Sequence, residues 1–133
     1  MGISRQGFCL SLSLLLAAGG AFAAPCSLDR IDLRAGGEWL FDMIGPDGTV
    51  YPNHHRYTAV EPLARIDYTL LWGEDGPKHA DATATFETVD GGTKVTLSMV
   101  MATAEEATNA RNFGAVELGQ QTLGKLEAVV LSL

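Results

Sequence analysis

The sequence predicts an α+β domain in which one antiparallel sheet of about six strands packs against a single long C-terminal helix. Residues 27–101 alternate between apolar and polar side chains, and clusters of glycine, proline and aspartate interrupt the alternation. After Thr103 the apolar spacing changes from two to steps of three and four, which is the period of an amphipathic helix. Strands followed by one helix are typical of a sheet with a single covered face.

Size and charge limit the classes of function. The chain has 133 residues, 47% of them hydrophobic, and a net charge of −7. This length suits one globular domain. Because so acidic a chain repels phosphate backbones and anionic lipid surfaces, we expect no nucleic acid partner and no stable membrane insertion.

The N-terminal stretch has the pattern of a signal peptide. Arg5 precedes an apolar run over residues 8–18, and Ala21-Phe22-Ala23 has small residues where a signal peptidase cleaves. The run is shorter than the ~20 residues that span a bilayer. We therefore predict a signal peptide, or a non-native stretch, over residues 1–23 and an exported protein, periplasmic or secreted. A buried helix in a cytoplasmic protein is the alternative. Cys26 has no neighbouring histidine in sequence and is expected to be a small buried side chain.

Six segments show strand character, and turn residues separate them. The clearest is 64–72, where Ile66, Tyr68, Leu70 and Trp72 share one face. Turns are predicted at 45–48, 61–62, 73–77 and 90–92. The predicted strands cover residues 27–33, 38–44, 51–60, 64–72, 81–87 and 94–101.

One helix is predicted from about residue 105 to residue 131. Thr103 and Glu106 have the spacing of a capping box, with the cap residue first and the glutamate three positions later. A single helix is ~10 Å wide and cannot cover six strands spaced ~4.8 Å apart. Part of the inner sheet face must therefore line a cavity, bind a partner or face something absent from the chain. The predicted apolar stripe of the helix consists of Val116, Gly119, Leu123, Leu126, Val130 and Leu133.

Five short segments carry a family resemblance: residues 31–39 (IDLRAGGEW), 45–49 (GPDGT), 51–53 (YPN), 113–117 (FGAVE) and 121–123 (QTL). In this order they resemble the Activator of Hsp90 ATPase homologue 1-like family, within the START-like (Bet v 1-like, SRPBCC) superfamily. The resemblance covers residues 26–133. It implies a helix-grip fold, in which a curved antiparallel sheet grips a long C-terminal helix around an apolar cavity.

The resemblance also implies a departure from the family pattern. Such domains normally begin with another strand and a pair of short helices, and here the signal-like stretch occupies their place. We therefore expect a shortened helix-grip domain whose sheet has an extra open edge. An open edge favours self-association.

The candidate site residues are large inward side chains that would line such a cavity, with core packing as the alternative for each. Ala82 and Ala84 favour a cavity, since small inward residues leave space. The candidates are Trp39, Phe41, Tyr57, Tyr68, Trp72, Phe86, Met99, Met101 and Phe113.

No catalytic, metal or cofactor site is predicted. His54 and His55 are adjacent, so on a strand they point to opposite faces, and His79 is isolated in a loop. The strand carboxylates Glu38, Asp42, Asp67 and Asp81 alternate with the aromatic residues and are expected in solvent.

Three functions remain open. The first is non-enzymatic binding of a small hydrophobic molecule in the cavity. The second is a protein-interaction role of the kind that the family name implies, stimulation of a chaperone ATPase, although export would separate the protein from cytosolic chaperones. The third and least favoured is an enzyme of the cyclase or hydrolase type known among START-like relatives.

Overall fold

The computed structural model describes residues 27–44 and 47–133; the predicted signal stretch and Cys26 lie outside them. Six strands form one antiparallel sheet whose spatial order follows the chain, as the α+β helix-grip prediction requires. The strands are β1 (Ser27–Ile31), β2 (Glu38–Ile44), β3 (Val50–Glu61), β4 (Arg65–Trp72), β5 (Lys78–Val89) and β6 (Gly92–Met101). The helices are α1 (Ala104–Asn112) and α2 (Ala115–Leu131). Neither of these helices is long and apolar enough to cross a membrane.

Short connections set the register of the strands. Asp90 and Gly91 alone join β5 to β6, and Gly91 has a φ of +82°, the left-handed conformation that such hairpins require. Before β3, the carboxylate of Asp47 accepts hydrogen bonds from the backbone N–H and the hydroxyl of Thr49, at 3.0 and 2.8 Å. These local bonds direct each chain reversal so that neighbouring strands pair in register.

The inner face of the sheet changes character across its width. Residues paired across the strands form rows, and each row runs from aromatic or branched side chains on β2–β4, through alanine on β5, to leucine or methionine on β6. The rows are Trp39–His55–Leu70–Ala80–Met101, Tyr57–Tyr68–Ala82–Met99 and Val60–Ile66–Ala84–Leu97. The β2–β4 half of the inner face therefore has bulky side chains, and the β5–β6 half has small or unbranched side chains and leucine. Among the described strands, β1 and β6 are the two edges of this sheet.

The predicted single helix of residues 105–131 is two helices in the structure. Thr103 and Glu106 form the predicted capping box, and α1 then ends at Asn112. Gly114 follows with a φ of +86° and donates its N–H to the Arg111 carbonyl at 3.0 Å. A left-handed glycine just beyond the last helical turn is a common helix terminator. It ends α1 here even though apolar residues at helical spacing continue after it.

The buried face of α2 differs from the predicted apolar stripe. Thr122 is buried, and Leu118, Leu126 and Val129 are half-buried. Val130 and Leu133 of the predicted stripe are exposed by 57% and 75%. Val116 at the other end of the stripe is exposed by 59%, so only Gly119, Leu123 and Leu126 of the predicted stripe are half-buried.

The core lies against the bulky half of the inner face. Its buried residues are Trp39, Phe41, Tyr57, Tyr68, Leu70 and Ala82, and we call this set the aromatic cluster. Ala110 of α1 and Ala115 of α2, on either side of the helix break, pack against it. Small residues at this contact let both helix ends approach the rings closely.

A histidine is enclosed in this cluster. His55 is fully buried, stacks on Tyr68 at a ring-centroid distance of 4.7 Å, and meets Trp39 and Phe41 edge-on at 5.3 and 5.0 Å. Neither ring nitrogen has a hydrogen-bond partner. Burial, with a smaller contribution from the charge of His54, lowers the pKa of His55 to about 3. His55 is thus a neutral ring that packs as an aromatic residue.

The helix break predicts opposite effects for two glycine-to-alanine substitutions in urea denaturation. Gly114→Ala should lower the free energy of unfolding by about 1–2 kcal/mol, since alanine is strained at this positive φ. Gly124→Ala lies within α2 with no atom near the new methyl group and should raise it by about 0.5–1 kcal/mol. A neutral or stabilising Gly114→Ala would contradict the described break.

The buried histidine predicts a pH dependence of stability. Below pH 6.5, the ordinary pKa of histidine, the unfolded chain binds a proton at His55 that the folded chain does not bind until about pH 3. The free energy of unfolding should therefore fall as the pH drops through this window, by at most about 1.4 kcal/mol per unit from this residue. His55→Phe should flatten the profile.

His79→Phe is the matched control for this experiment. Burial lowers the pKa of His79 as well, but that ring is half-buried and the charge of Glu106 opposes the effect. The control should flatten the profile less than His55→Phe does. An unchanged acid slope in His55→Phe, measured by urea denaturation from pH 7 to pH 4, would show that the ring is not buried in its neutral form.

Candidate functional site

A cavity of about 310 Å³ lies between β6 and the two helices, beside the aromatic cluster. Strand β6 contributes Leu97, Met99 and Met101 to its wall. The volume is at the lower end of the ~300–1,000 Å³ typical of small-molecule sites. The helices contribute Ala107, Ala110, Arg111, Ala115, Val116, Gly119, Gln120 and Leu123.

The cavity exists because small residues of the helices face β6. Ala107, Ala110, Ala115 and Gly119 present at most a methyl group, so little side-chain volume enters the space beside β6. On the strand side, the unbranched side chains of Met99 and Met101 can adjust to ligands of different shape. Flexible methionine side chains on the strand and small residues on the helices together suit an apolar ligand.

The cavity and the aromatic cluster share a wall. Ala110 and Ala115 line the cavity and also pack against the cluster. Behind this wall the hydroxyl of Tyr68 is buried without a hydrogen-bond partner, and burial raises the pKa of both Tyr68 and Tyr57 above the ordinary tyrosine value. These tyrosines stay protonated at physiological pH, so the interior beside the cavity carries no charge from them.

Few polar groups line the cavity. Of the described residues in its wall, only Arg111 is charged, and Gln120 adds an amide. Arg111 lies in the last turn of α1 and Gln120 near the start of α2, so both belong to the part of the cavity near the helix break. The arrangement is a partly open, mostly apolar cavity with one cationic group in its wall.

The structure separates the nine candidate residues into groups. Met99 and Met101 line the cavity, whereas Trp39, Phe41, Tyr57 and Tyr68 belong to the aromatic cluster beside it. Trp72 is half-buried with its ring 4.6 Å from that of His79, and Phe86 is half-buried on β5. Phe113 follows α1 at the helix break and is 46% exposed.

Sequence reasoning missed the helix side of the cavity. Val116, Gly119 and Leu123 belong to the predicted helix stripe, but the alanines of the wall and Arg111 were not singled out. Their spacing carries a signal, since Ala107, Ala110 and Arg111 lie three and four positions apart, as one face of a helix requires. His55 was also missed, although its spacing of two from the inward residue Tyr57 indicates the same face of the strand.

The outer face of the sheet is less open than its sequence predicts. His54 and Leu71 are buried there, and Nε2 of His54 donates to the Glu38 carboxylate at 2.8 Å. Burial, with the nearby Arg56 cation, lowers the pKa of His54, so the ring is a neutral donor. Ion pairs of Arg30 with Glu38 and of Arg56 with Asp75 surround it.

The remaining strand carboxylates form surface contacts. Asp67 accepts from Arg65 at 2.9 Å and from the Thr83 hydroxyl at 2.7 Å, and these bonds lower its pKa. Asp81 accepts from Thr69 at 2.9 Å and also pairs with Lys78, whose hydrogen bond lowers the pKa of Asp81. Within residues 27–44 and 47–133, no three histidine, cysteine or acidic side chains are grouped as metal ligands.

Solved structures from three bacteria share this fold. Protein Ms6760 from Mycobacterium smegmatis is 27% identical, with a TM-score of 0.72 over 85% of this chain and 73% of that one. Protein NE0264 from Nitrosomonas europaea is 25% identical, with a TM-score of 0.71 over 81% and 73%. A protein from Staphylococcus epidermidis, 23% identical, matches with a TM-score of 0.72 over 84% and 71% and supports the fold alone.

Sequence comparison gives the family. Among curated proteins, no sequence matches significantly. The profile of the family described as "Activator of Hsp90 ATPase homolog 1-like protein" matches residues 20–130, which is most of the chain. With the six-stranded sheet, the C-terminal helices and the structural neighbours, this match confirms the predicted resemblance. The chain belongs to the Activator of Hsp90 ATPase homolog 1-like family, of the SRPBCC or Bet v 1-like type.

Proposed function

We propose that this protein binds a small hydrophobic molecule in the cavity between β6 and the helices, without catalysing a reaction on it. The family fold supports a ligand-binding or interaction module in general. The observation that carries the finer proposal is the 310 Å³ cavity itself, whose described wall is mostly aliphatic or thioether in character. Burial of apolar surface there would drive binding.

The chemistry of the wall favours binding over catalysis. A general acid or base needs a group that exchanges protons near neutral pH. The described lining residues offer an arginine guanidinium and a glutamine amide, and neither does so. His55, the nearest candidate by residue type, is enclosed among rings as a neutral side chain with a pKa of about 3.

Filling the cavity should abolish ligand binding. Ala107 lines the cavity, so Ala107→Phe places a ring inside it, whereas Ala104→Phe adds the same ring at an exposed position of the same helix. In a titration with a polarity-sensitive naphthalene dye, we expect Ala107→Phe to weaken binding at least about tenfold, since a phenyl ring displaces much of the apolar contact area. Ala104→Phe should bind as the wild type does.

Two outcomes would reject this proposal. Equal dye binding by Ala107→Phe and wild type would place the bound dye elsewhere on the molecule. No binding of any apolar dye by folded wild-type protein would remove the role altogether. Far-ultraviolet circular dichroism on the same samples separates loss of binding from loss of fold.

A protein-interaction role is the second candidate. Val130 and Leu131 of α2 are exposed by 57% and 81%, and exposed apolar residues on one helix can form a docking surface. The family description names activation of the Hsp90 ATPase. If the protein has this activity, adding it should raise the ATPase rate of an Hsp90-type chaperone. The double variant Val130→Asp/Leu131→Asp should raise the rate less, because the added charges oppose apolar docking. An unchanged rate with wild-type protein would dispose of this candidate.

A further inference from the structure

Resting on the proposed binding role, we propose that the ligand is a single-chain amphiphile with an anionic head, whose head pairs with Arg111 while its tail fills the cavity. The proposal concerns the class of ligand and the residue that selects it. It rests on three features of the described residues. Arg111 has no carboxylate partner among them, the cavity wall is mostly apolar, and the Arg111 side chain is part of that wall.

Arg111 differs from the other described arginines. The other four each form an ion pair with a carboxylate: Arg30 with Glu38, Arg34 with Asp32, Arg56 with Asp75 and Arg65 with Asp67. Within residues 27–44 and 47–133, no carboxylate forms an ion pair with Arg111. In a chain with a net charge of −7, an arginine without an acidic partner is available to an external anion.

The position of Arg111 links this cation to the apolar wall. Its side chain lines the cavity and is also exposed to solvent, so it reaches both the interior and the surface. Leu97, Met99, Met101 and Leu123 line the same cavity and offer only apolar surface. A molecule that satisfies both parts must have an apolar tail and a negatively charged head.

Arg111 has a structural role that the experiment must separate from recognition. It lies in the last turn of α1, where a cation stabilises the helix by interacting with its dipole. Glu117 in the first turn of α2 carries the opposite charge but does not line the cavity. A purely structural Arg111 would affect every ligand of the cavity alike, whereas a recognition residue affects only ligands with a charged head.

The test compares decanoate with 1-decanol, which have the same chain length and differ in head-group charge. Dissociation constants are measured by isothermal titration calorimetry at pH 7.5, below micelle concentrations, for wild type, Arg111→Gln, Arg111→Lys and Arg65→Gln. Arg65→Gln is the matched control, since it makes the same charge change at an arginine that is paired with Asp67 and does not line the cavity. Decyl phosphate is added to establish whether a carboxylate or a phosphate head is preferred.

Wild type and Arg65→Gln should bind decanoate about fivefold more tightly than decanol, as a partly exposed charge-assisted hydrogen bond allows. Arg111→Gln should lose this preference because it weakens decanoate binding about fivefold more than decanol binding, and Arg111→Lys should keep part of it. Raising the salt concentration should weaken decanoate binding alone.

Other results would overturn the proposal. Equal or weaker binding of decanoate by wild type, or a preference that survives in Arg111→Gln, would show that Arg111 does not select the head group, while the binding role stands. Equal weakening of both compounds by Arg111→Gln would assign it a structural role. Failure of both compounds to bind to folded wild type would reject the binding role and this inference together.

Discussion

Six strands spaced ~4.8 Å apart make an inner face about 24 Å wide, and helices ~10 Å in diameter must cover it. The structure meets this constraint by pressing the helix break, at Ala110 and Ala115, against the aromatic cluster. A cavity remains between the helices and β6, so the helices do not fill the space over the inner face evenly. The core, the two-helix arrangement and the candidate site all depend on this unequal coverage.

The division of the sheet into two halves explains why the cavity is aliphatic. The rings of Trp39, Phe41 and Tyr68 fill the first half together with His55, which acts as one more ring. Such rings pack with fixed geometry, and a close-packed group of them leaves no room for a guest. The β6 half has flexible thioether and leucine side chains opposite small helix residues, and space remains there. Burial also keeps the histidine and tyrosines neutral, so the aromatic half supplies no charge to the cavity.

The sequence was sufficient for most of the fold. Alternation and turn residues predicted six strands within a few residues of their ends, and the capping box placed the start of α1 correctly. The helix break was not predicted, because the apolar stripe from Val116 to Leu133 begins after Gly114 and does not indicate where the preceding helix ends. Gly114 terminates α1 through a backbone conformation that apolar periodicity cannot report.

The candidate site was predicted less completely. Large inward residues were expected to line the cavity, but large residues such as Tyr68 pack well and fill space, whereas cavities form where residues are small. The alanines of the helices and the unpaired state of Arg111 depend on tertiary contacts between segments distant in sequence. Alternation on β6 places Met99 and Met101 inward, and in the structure both line the cavity.

The most direct test of the account uses the methionine methyl groups as reporters. The chain has four methionines, of which Met1 lies outside the described residues. Met43, Met99 and Met101 all pack against the aromatic cluster, but only Met99 and Met101 of these three line the cavity. In protein labelled with ¹³C at the methionine methyls, a bound apolar ligand should give nuclear Overhauser contacts to Met99 and Met101 and none to Met43. Contacts to Met43 alone, or no change at Met99 and Met101 on saturation with a bound ligand, would contradict a ligand cavity between β6 and the helices.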